Sequence, residues 1–309
     1  MKKRILSALL ALVMVLALLP ATAFAATSAE SGRTSVRYYD KIQPTLLDAG
    51  GAPIGPGWYY QFQMNVGSNR KETRYAQVNS GVITGTSTSG TWYESAQAAL
   101  DKGQASFTLL GNESISGLSR NLTVDTNGHT LTIGIADMTK VTSLIVEDSQ
   151  YAAAMKAGRS ADQGAVNWNI VNSGTGTQTF TLTLRDGGQL SGGVQLTNYA
   201  NHTISMKDYA TLNGSVEMSG NATTHANAQN VTLDNHSEIT GTVTLTGNST
   251  RVSVTSSEMG ALNLNGTGTQ LAVNGMISKV GAVTLSSGQL KDTGTNATVN
   301  ISQGTVASI

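Results

Sequence analysis

The 309-residue chain has no cysteine, only four prolines, 12% charged residues and 5% aromatic residues. Without cysteine, disulfide frameworks, thiolate zinc sites, iron–sulfur clusters and cysteine nucleophiles are excluded. Lys+Arg and Asp+Glu stand at 19 each, so the electrostatic footprint of a nucleic-acid-binding protein is missing. The last proline is Pro56, which leaves 253 consecutive residues without one. Proline removes a ladder donor, so this absence suits continuous sheet. Long apolar runs are also scarce: there is one, at the N-terminus.

That run gives the first positive reading. Lys2, Lys3 and Arg4 precede apolar residues 5–19, Pro20 ends the run, and Ala23-Phe24-Ala25 supplies a small-x-small cleavage site. Residues 1–25 therefore read as a secretory signal peptide, too short in its apolar part to span a bilayer. Cleavage would leave 16 basic and 19 acidic residues, a net charge of −3. No second apolar run and no Leu-Pro-x-Thr-Gly sorting motif follows. The expectation is a secreted, extracellular or cell-wall-associated chain with no membrane span once processed.

Residues 26–90 read as a polar leader holding Pro44, Pro53 and Pro56, followed by an aromatic zone with Trp58, Tyr59, Tyr60, Phe62 and Tyr75. Alternation over residues 60–64 predicts a half-buried strand. Thr91 and Glu94 fit a capping box, and Ala96, Ala98, Ala99 and Leu100 run on to Gly103, which predicts a short helix over residues 92–102. From residue 91 to 309 the chain reads as sheet, with an insert at 148–167 that forms a brief helix or a loop. Gly, Ser, Thr and Asn fill 71 of the 139 positions from 171 to 309, yet the apolar residues among them keep register, which a linker would not do.

The register is carried by five anchors: Leu184, Met206, Leu233, Val254 and Val273. Two residues earlier stand Leu182, Ile204, Val231, Val252 and Leu271. A glycine column follows, Gly192, Gly214, Gly241, Gly260 and Gly281, and two further columns begin with Val194 and Leu196. Each unit reads as an alternating strand, a turn, a glycine and a second alternating strand. A unit this small cannot bury its own apolar face, so equivalent units must stack in parallel. The fold class expected is all-β, a right-handed parallel β-helix (solenoid), with the short helix capping its N-terminal end and Phe107, Leu122, Leu131 and Leu144 opening looser first coils. An antiparallel β-sandwich repeat is the alternative. Val299 and Ile301 begin another unit, which suggests a continuing chain or an end-to-end partner at the C-terminus.

Thr108-Leu109-Leu110-Gly111-Asn112-Glu113-Ser114-Ile115-Ser116, then Leu122-Thr123-Val124-Asp125-Thr126-Asn127-Gly128-His129-Thr130-Leu131, resembles the opening coils of a known family. These are the secreted or cell-surface pectate-lyase-like right-handed β-helix proteins of Gram-positive bacteria, adhesin-like and often associated with S-layer homology domains. The resemblance covers residues 92–133, and residues 180–309 are similar to the family's repeats in style alone. It implies fold and location rather than activity. No S-layer homology domain is visible.

For chemistry, Arg185-Asp186 and Lys207-Asp208 share one offset in consecutive units. Stacked carboxylates can share a proton or hold calcium, whereas aspartates just past a strand commonly satisfy turn backbone. Asp234-Asn235 is shifted by one, and Ser256 and Gly275 follow, so the stack ends after two units. Asp186 and Asp208 are thus the catalytic candidates. His129, His202, His225 and His236 lack metal-ligand spacing, with His202, His225 and His236 placed in loops. No cofactor-binding or metal site is expected, the glycine pairs near Gly174 and Gly266 reading as turns. Two functions remain: a non-enzymatic structural or adhesin-like surface protein whose partners are cell wall, extracellular glycans or proteins, and a polysaccharide-processing lyase or hydrolase.

Overall fold

The structure is a computed structural model that describes residues 33–67, 70–86, 88–173, 176–220, 227–266, 268–285, 298–301 and 305–308. The signal-peptide segment 1–25 and His225 lie outside the described residues. The chain divides into two compact units, one comprising residues up to Asn79 together with Gly85–Glu94, the other Ser80–Thr84 together with Ser95 onward.

The first unit is antiparallel. Strand β1 (Arg33–Tyr39) pairs with both β4 (Gly57–Gly67) and β7 (Ser89–Tyr93), while β2 (Gln43–Leu47) pairs with the two-residue β3 (Pro53–Ile54). β4 and β5 (Arg70–Val78) form a long hairpin. The leader is therefore strand from Arg33 onward rather than irregular chain. Its reason is tertiary: Val36 is fully buried, and β1 draws its hydrogen bonds from strands some twenty and fifty residues ahead. Pro44 and Pro53 sit in the small two-stranded sheet, where a missing donor costs least.

In the second unit, β6 (Val82–Gly85) meets strand Ser106–Leu109 antiparallel through Val82 and Ile83. All other strand pairs there are parallel, and they fall into three columns. The first runs Ser106–Leu109, Leu122–Asp125, Ser143–Glu147, Thr181–Arg185, Thr203–Lys207, Asn230–Asp234, Arg251–Thr255, Gln270–Asn274 and Thr298–Ile301. Leu184 pairs with Met206, Met206 with Leu233, Leu233 with Val254 and Val254 with Val273, the register read from the anchors. Val194, Val216, Val243, Leu262 and Val283 pair in the same way in another column. The antiparallel sandwich is thereby overturned.

Between these columns the turn read from sequence holds a third strand, of two or three residues in four of the five repeats and continuous with the next column as Lys279–Leu285 in the fifth. Leu190, Leu212, Ile239, Met259 and Val280 are its apolar members, each just before the glycine column. Leu182, Leu184, Leu190 and Leu196 are fully buried and Val194 nearly so, each contributing about 1.5–3 kcal/mol on transfer from water.

The glycine column has a steric cause. A Cβ on Gly241 would lie 2.4 Å from the Gly214 carbonyl oxygen and 2.7 Å from the Ser215 nitrogen, and one on Gly214 would lie 2.2 Å from the Gly192 oxygen. Each repeat turns here against the backbone of the preceding one, so no side chain fits. Gly241→Ala is expected to lower stability by about 2 kcal/mol through this overlap, measured by urea denaturation; an unchanged midpoint would show that the corner relaxes freely.

Helix α1 (Ala96–Asp101) is shorter than expected and starts later. Thr91 is in β7, and Ser95 is the cap, its hydroxyl accepting the Ala98 N–H at 3.1 Å. α1 packs on strand Glu113–Leu118, the last strand of its sheet, and Gln97 Oε1 accepts the Ser116 N–H at 3.1 Å, covering part of that edge. Within the 148–167 insert, α2 (Ser149–Lys156) is capped by Asp148, which is fully buried. Asp148 Oδ1 accepts the Tyr151 N–H at 3.0 Å. Its Oδ2 accepts the Thr126 hydroxyl at 3.1 Å and the N–H groups of Gly128 and Gly164 at 3.1 and 2.7 Å.

Candidate functional site

The turn after the first strand column places the candidate aspartates. Asp186, Asp208, Asn235 and Ser256 all hold left-handed backbone, with φ between 47° and 56°, and Gly275 takes the same place at 91°. Asn235 is level with Asp186 and Asp208, and Asp234 pairs with Lys207, so the aspartate of that repeat is shifted by one as expected. Left-handed backbone favours Asn, Asp and Gly, which explains their choice here. Successive turns join through the backbone, Gly187 N–H donating to Asp208 O at 2.7 Å and Tyr209 N–H to Asn235 O at 3.0 Å.

Asp186 and Asp208 come to adjacent turns, but each carboxylate has its own partner. Lys156 Nζ lies 3.4 Å from Asp186 Oδ1, and Asn235 Nδ2 donates to Asp208 Oδ1. Lys207 Nζ lies 4.0 Å from Asp208 Oδ2. Arg185 donates to Glu147, one repeat earlier, instead of turning to Asp186. Carboxylates that each bond a separate neighbour, one a lysine and the other an amide, are poorly arranged to share a proton with each other.

The following turn position breaks the local rule. Gly128 and Gly187 occupy it at φ 79°, whereas Tyr209 and His236 occupy it at φ 65°. A side chain in that conformation costs about 1–2 kcal/mol. Their rings stack, with centroids 4.9 Å apart and planes 16° from parallel. His236 is exposed and Tyr209 half-buried. Neither residue marks the pair on its own. Both stand three residues past an anchor, so extending the aligned columns by one position would have found it.

His202 lies in the loop before strand Thr203–Lys207, as expected, yet it is fully buried there. With Gln229 and Thr250 it forms a polar column at the corner before the first strands. The Phe180 N–H donates to His202 Nδ1 at 3.2 Å, the His202 N–H to Gln229 Oε1 at 3.0 Å, and the Gln229 N–H to Thr250 Oγ1 at 3.2 Å. Each corner N–H is satisfied by the side chain of the next repeat. Nδ1 accepts only in neutral imidazole. Burial pushes the His202 pKa down to about 4. Its Nε2 and Asn198 Oδ1 are buried without a hydrogen-bond partner among the described residues.

His129 lies half-buried in its turn. Among the described residues no group of three or more His, Asp and Glu could hold a metal ion, and no helix is long and apolar enough to cross a membrane. Tyr59 and Tyr60 of the aromatic zone are buried, and Trp58 packs on Tyr38 with ring centroids 5.5 Å apart. A cleft of 290 Å³ beside α1 is lined by Gln97, Leu100, Asp101, Gly117, Ser119 and Arg120, where Gln97 Nε2 already donates to Asp101 at 3.0 Å. No family model, curated protein or solved structure matches the chain.

Proposed function

We propose that the chain is an exported, non-enzymatic structural or adhesin-like surface protein built as a right-handed parallel β-helix. The signal-peptide pattern of residues 1–25 supports export. Three parallel strand columns in constant register, with handedness set by the rule for parallel crossovers, support the β-helix. The segment 108–131 adds its resemblance to pectate-lyase-like surface proteins, in which the Asn127-Gly128 turn belongs to the shared motif.

One observation carries the functional reading: the two aspartates that share an offset in consecutive repeats, Asp186 and Asp208, are each engaged by a separate neighbour. A long array of inward aliphatic and outward Thr, Ser, Asn and Gln side chains then serves display rather than chemistry. The second reading, a lyase or hydrolase of acidic polysaccharides, rests on those same two aspartates lying in adjacent turns.

The assay is the purified protein against pectin and polygalacturonate, followed by release of unsaturated or reducing ends. No turnover is expected from the wild type or from Asp186→Asn/Asp208→Asn. Turnover that the double substitution abolishes would overturn the proposal in favour of the enzyme.

A further inference from the structure

The repeat after His236 is one residue short in its turn. Ser256 occupies the place of Asn235, and Ser257 that of the buried Ser237, whose N–H donates to Ser257 Oγ at 3.1 Å. No residue stands where His236 stands one repeat earlier. The next repeat has residues to spare: Gly275 lies directly on Ser256, and Met276 and Ile277 then project, 84% and 47% exposed. The corner therefore carries Tyr209, His236, an empty level and Met276 in sequence.

The dimensions of that level are set by the sheet. Neighbouring parallel strands lie about 4.8 Å apart, and the Tyr209 and His236 rings stack at 4.9 Å. A flat guest ring placed on the free face of His236 would continue the stack at the same period, one level from Met276. Its faces would meet the His236 ring and the Met276 side, and its edge would lie level with Ser256 and one level from Asn235. A bare aromatic ring would leave those polar groups without a partner. A pyranose has both, a C–H face and a hydroxyl edge.

Charge narrows the class. Arg185 pairs with Glu147, Lys279 with Glu258 and Lys156 with Asp186. Lys207 remains against Asp208 and Asp234, so the corner has no excess cation to draw a polyanion. Tyr209 and His236 also hold left-handed backbone where glycine would sit without strain, as it does at Gly187. Departures from local preference mark functional positions more often than structural ones.

We propose that the notch beside His236 is a binding subsite for one pyranose ring of a neutral extracellular glycan. The proposal rests on the reading of the protein as displayed outside the cell, and it names the partner's chemistry.

The test is isothermal titration of the full-length secreted protein with cellotetraose, mannotetraose and xylotetraose, and with tetragalacturonate as the acidic counterpart. At least one neutral tetrasaccharide is expected to bind at millimolar concentration or better, and more tightly than tetragalacturonate. Tyr209→Gly/His236→Gly should weaken that binding about tenfold, while melting no lower than the wild type because glycine suits φ of 65°. Loss of binding thus cannot be put down to unfolding.

Absence of binding by all three neutral probes, undiminished binding by the double variant, or preference for tetragalacturonate would each overturn the subsite. None of these outcomes touches the display reading. Cleavage of a bound oligosaccharide would count against the non-enzymatic reading alone.

Discussion

Asp148→Ala is expected to lower the unfolding free energy by about 4 kcal/mol, the largest effect of any single substitution considered. The buried carboxylate accepts four donors drawn from three segments: the Thr126 hydroxyl and Gly128 N–H of one turn, the Tyr151 N–H of α2, and the Gly164 N–H at the end of the insert. Alanine leaves the N–H groups of Gly128, Tyr151 and Gly164 without their acceptor in a site closed to water, each at a cost of about 1–3 kcal/mol, while the Thr126 hydroxyl keeps the Glu147 carbonyl oxygen at 3.0 Å. Loss of the α2 cap alone would account for only about 1 kcal/mol. Urea denaturation separates the two accounts. Asp148→Asn keeps the shape and one acceptor oxygen, so it should fall between wild type and alanine. A loss near 1 kcal/mol for Asp148→Ala would reduce the residue to a helix cap and remove its role in joining the insert to the Thr126 turn.

Stability is also expected to fall by about 3 kcal/mol between pH 7 and pH 4 through His202 alone. The imidazole titrates near 6.5 in the unfolded chain and at about 4 in the folded protein. Above pH 6.5 both states hold it neutral, and its contribution is fully present. As pH falls from 6.5 toward 4 the unfolded chain takes up the proton first, so the unfolded state gains. Below about 4 both states are protonated and no further loss comes from this group. The difference of about 2.5 units at 1.36 kcal/mol each gives the figure. Asp137, held down to about 2 chiefly by the Thr139 hydroxyl, acts at lower pH, and Glu72, lowered chiefly by its hydrogen bond from Arg70, acts as pH falls through the carboxylate range, which leaves the upper part of the window to His202. Denaturation curves of wild type and His202→Gln at pH 7 and 4.5 should differ in slope against pH. Parallel pH dependence in the two proteins would show that His202 titrates normally, and hence that its corner opens to water.

The inward-facing columns were legible in the sequence because a period-two strand must send alternate residues the same way, and a fixed spacing must bring like residues together. Leu182, Ile204, Val231, Val252 and Leu271 pair in the order in which they align. The third strand column escaped notice because a strand such as Glu238–Ile239 holds a single apolar residue and shows no period. β1 was hidden for another reason: its partners β4 and β7 are distant in sequence, and the polar residues between them look like a leader. At the start of α1, Thr91 and Ser95 are both acceptable caps. Pairing of Ser89–Tyr93 with β1 takes Thr91 into a strand and leaves the cap to Ser95.

The candidate site divides in the same way. The offset of Asp186 and Asp208 was visible, but their partners were not, since Lys156 comes from α2 and Asn235 from the next turn. His202 carried no mark of burial in a stretch reading Asn201-His202-Thr203.

By itself, then, the sequence determined the repeat, its glycine corner and the inward face of every regular strand. Those are properties of spacing and alternation, and each repeat states them on its own. Only the tertiary structure decided what happens at the corners: which turn residues bend left-handed, which polar side chains go inside, and where one level is left open beside His236. A corner N–H is satisfied, and a corner side chain given room, by the repeat stacked against it. Those choices are made about twenty residues away from the residue they govern.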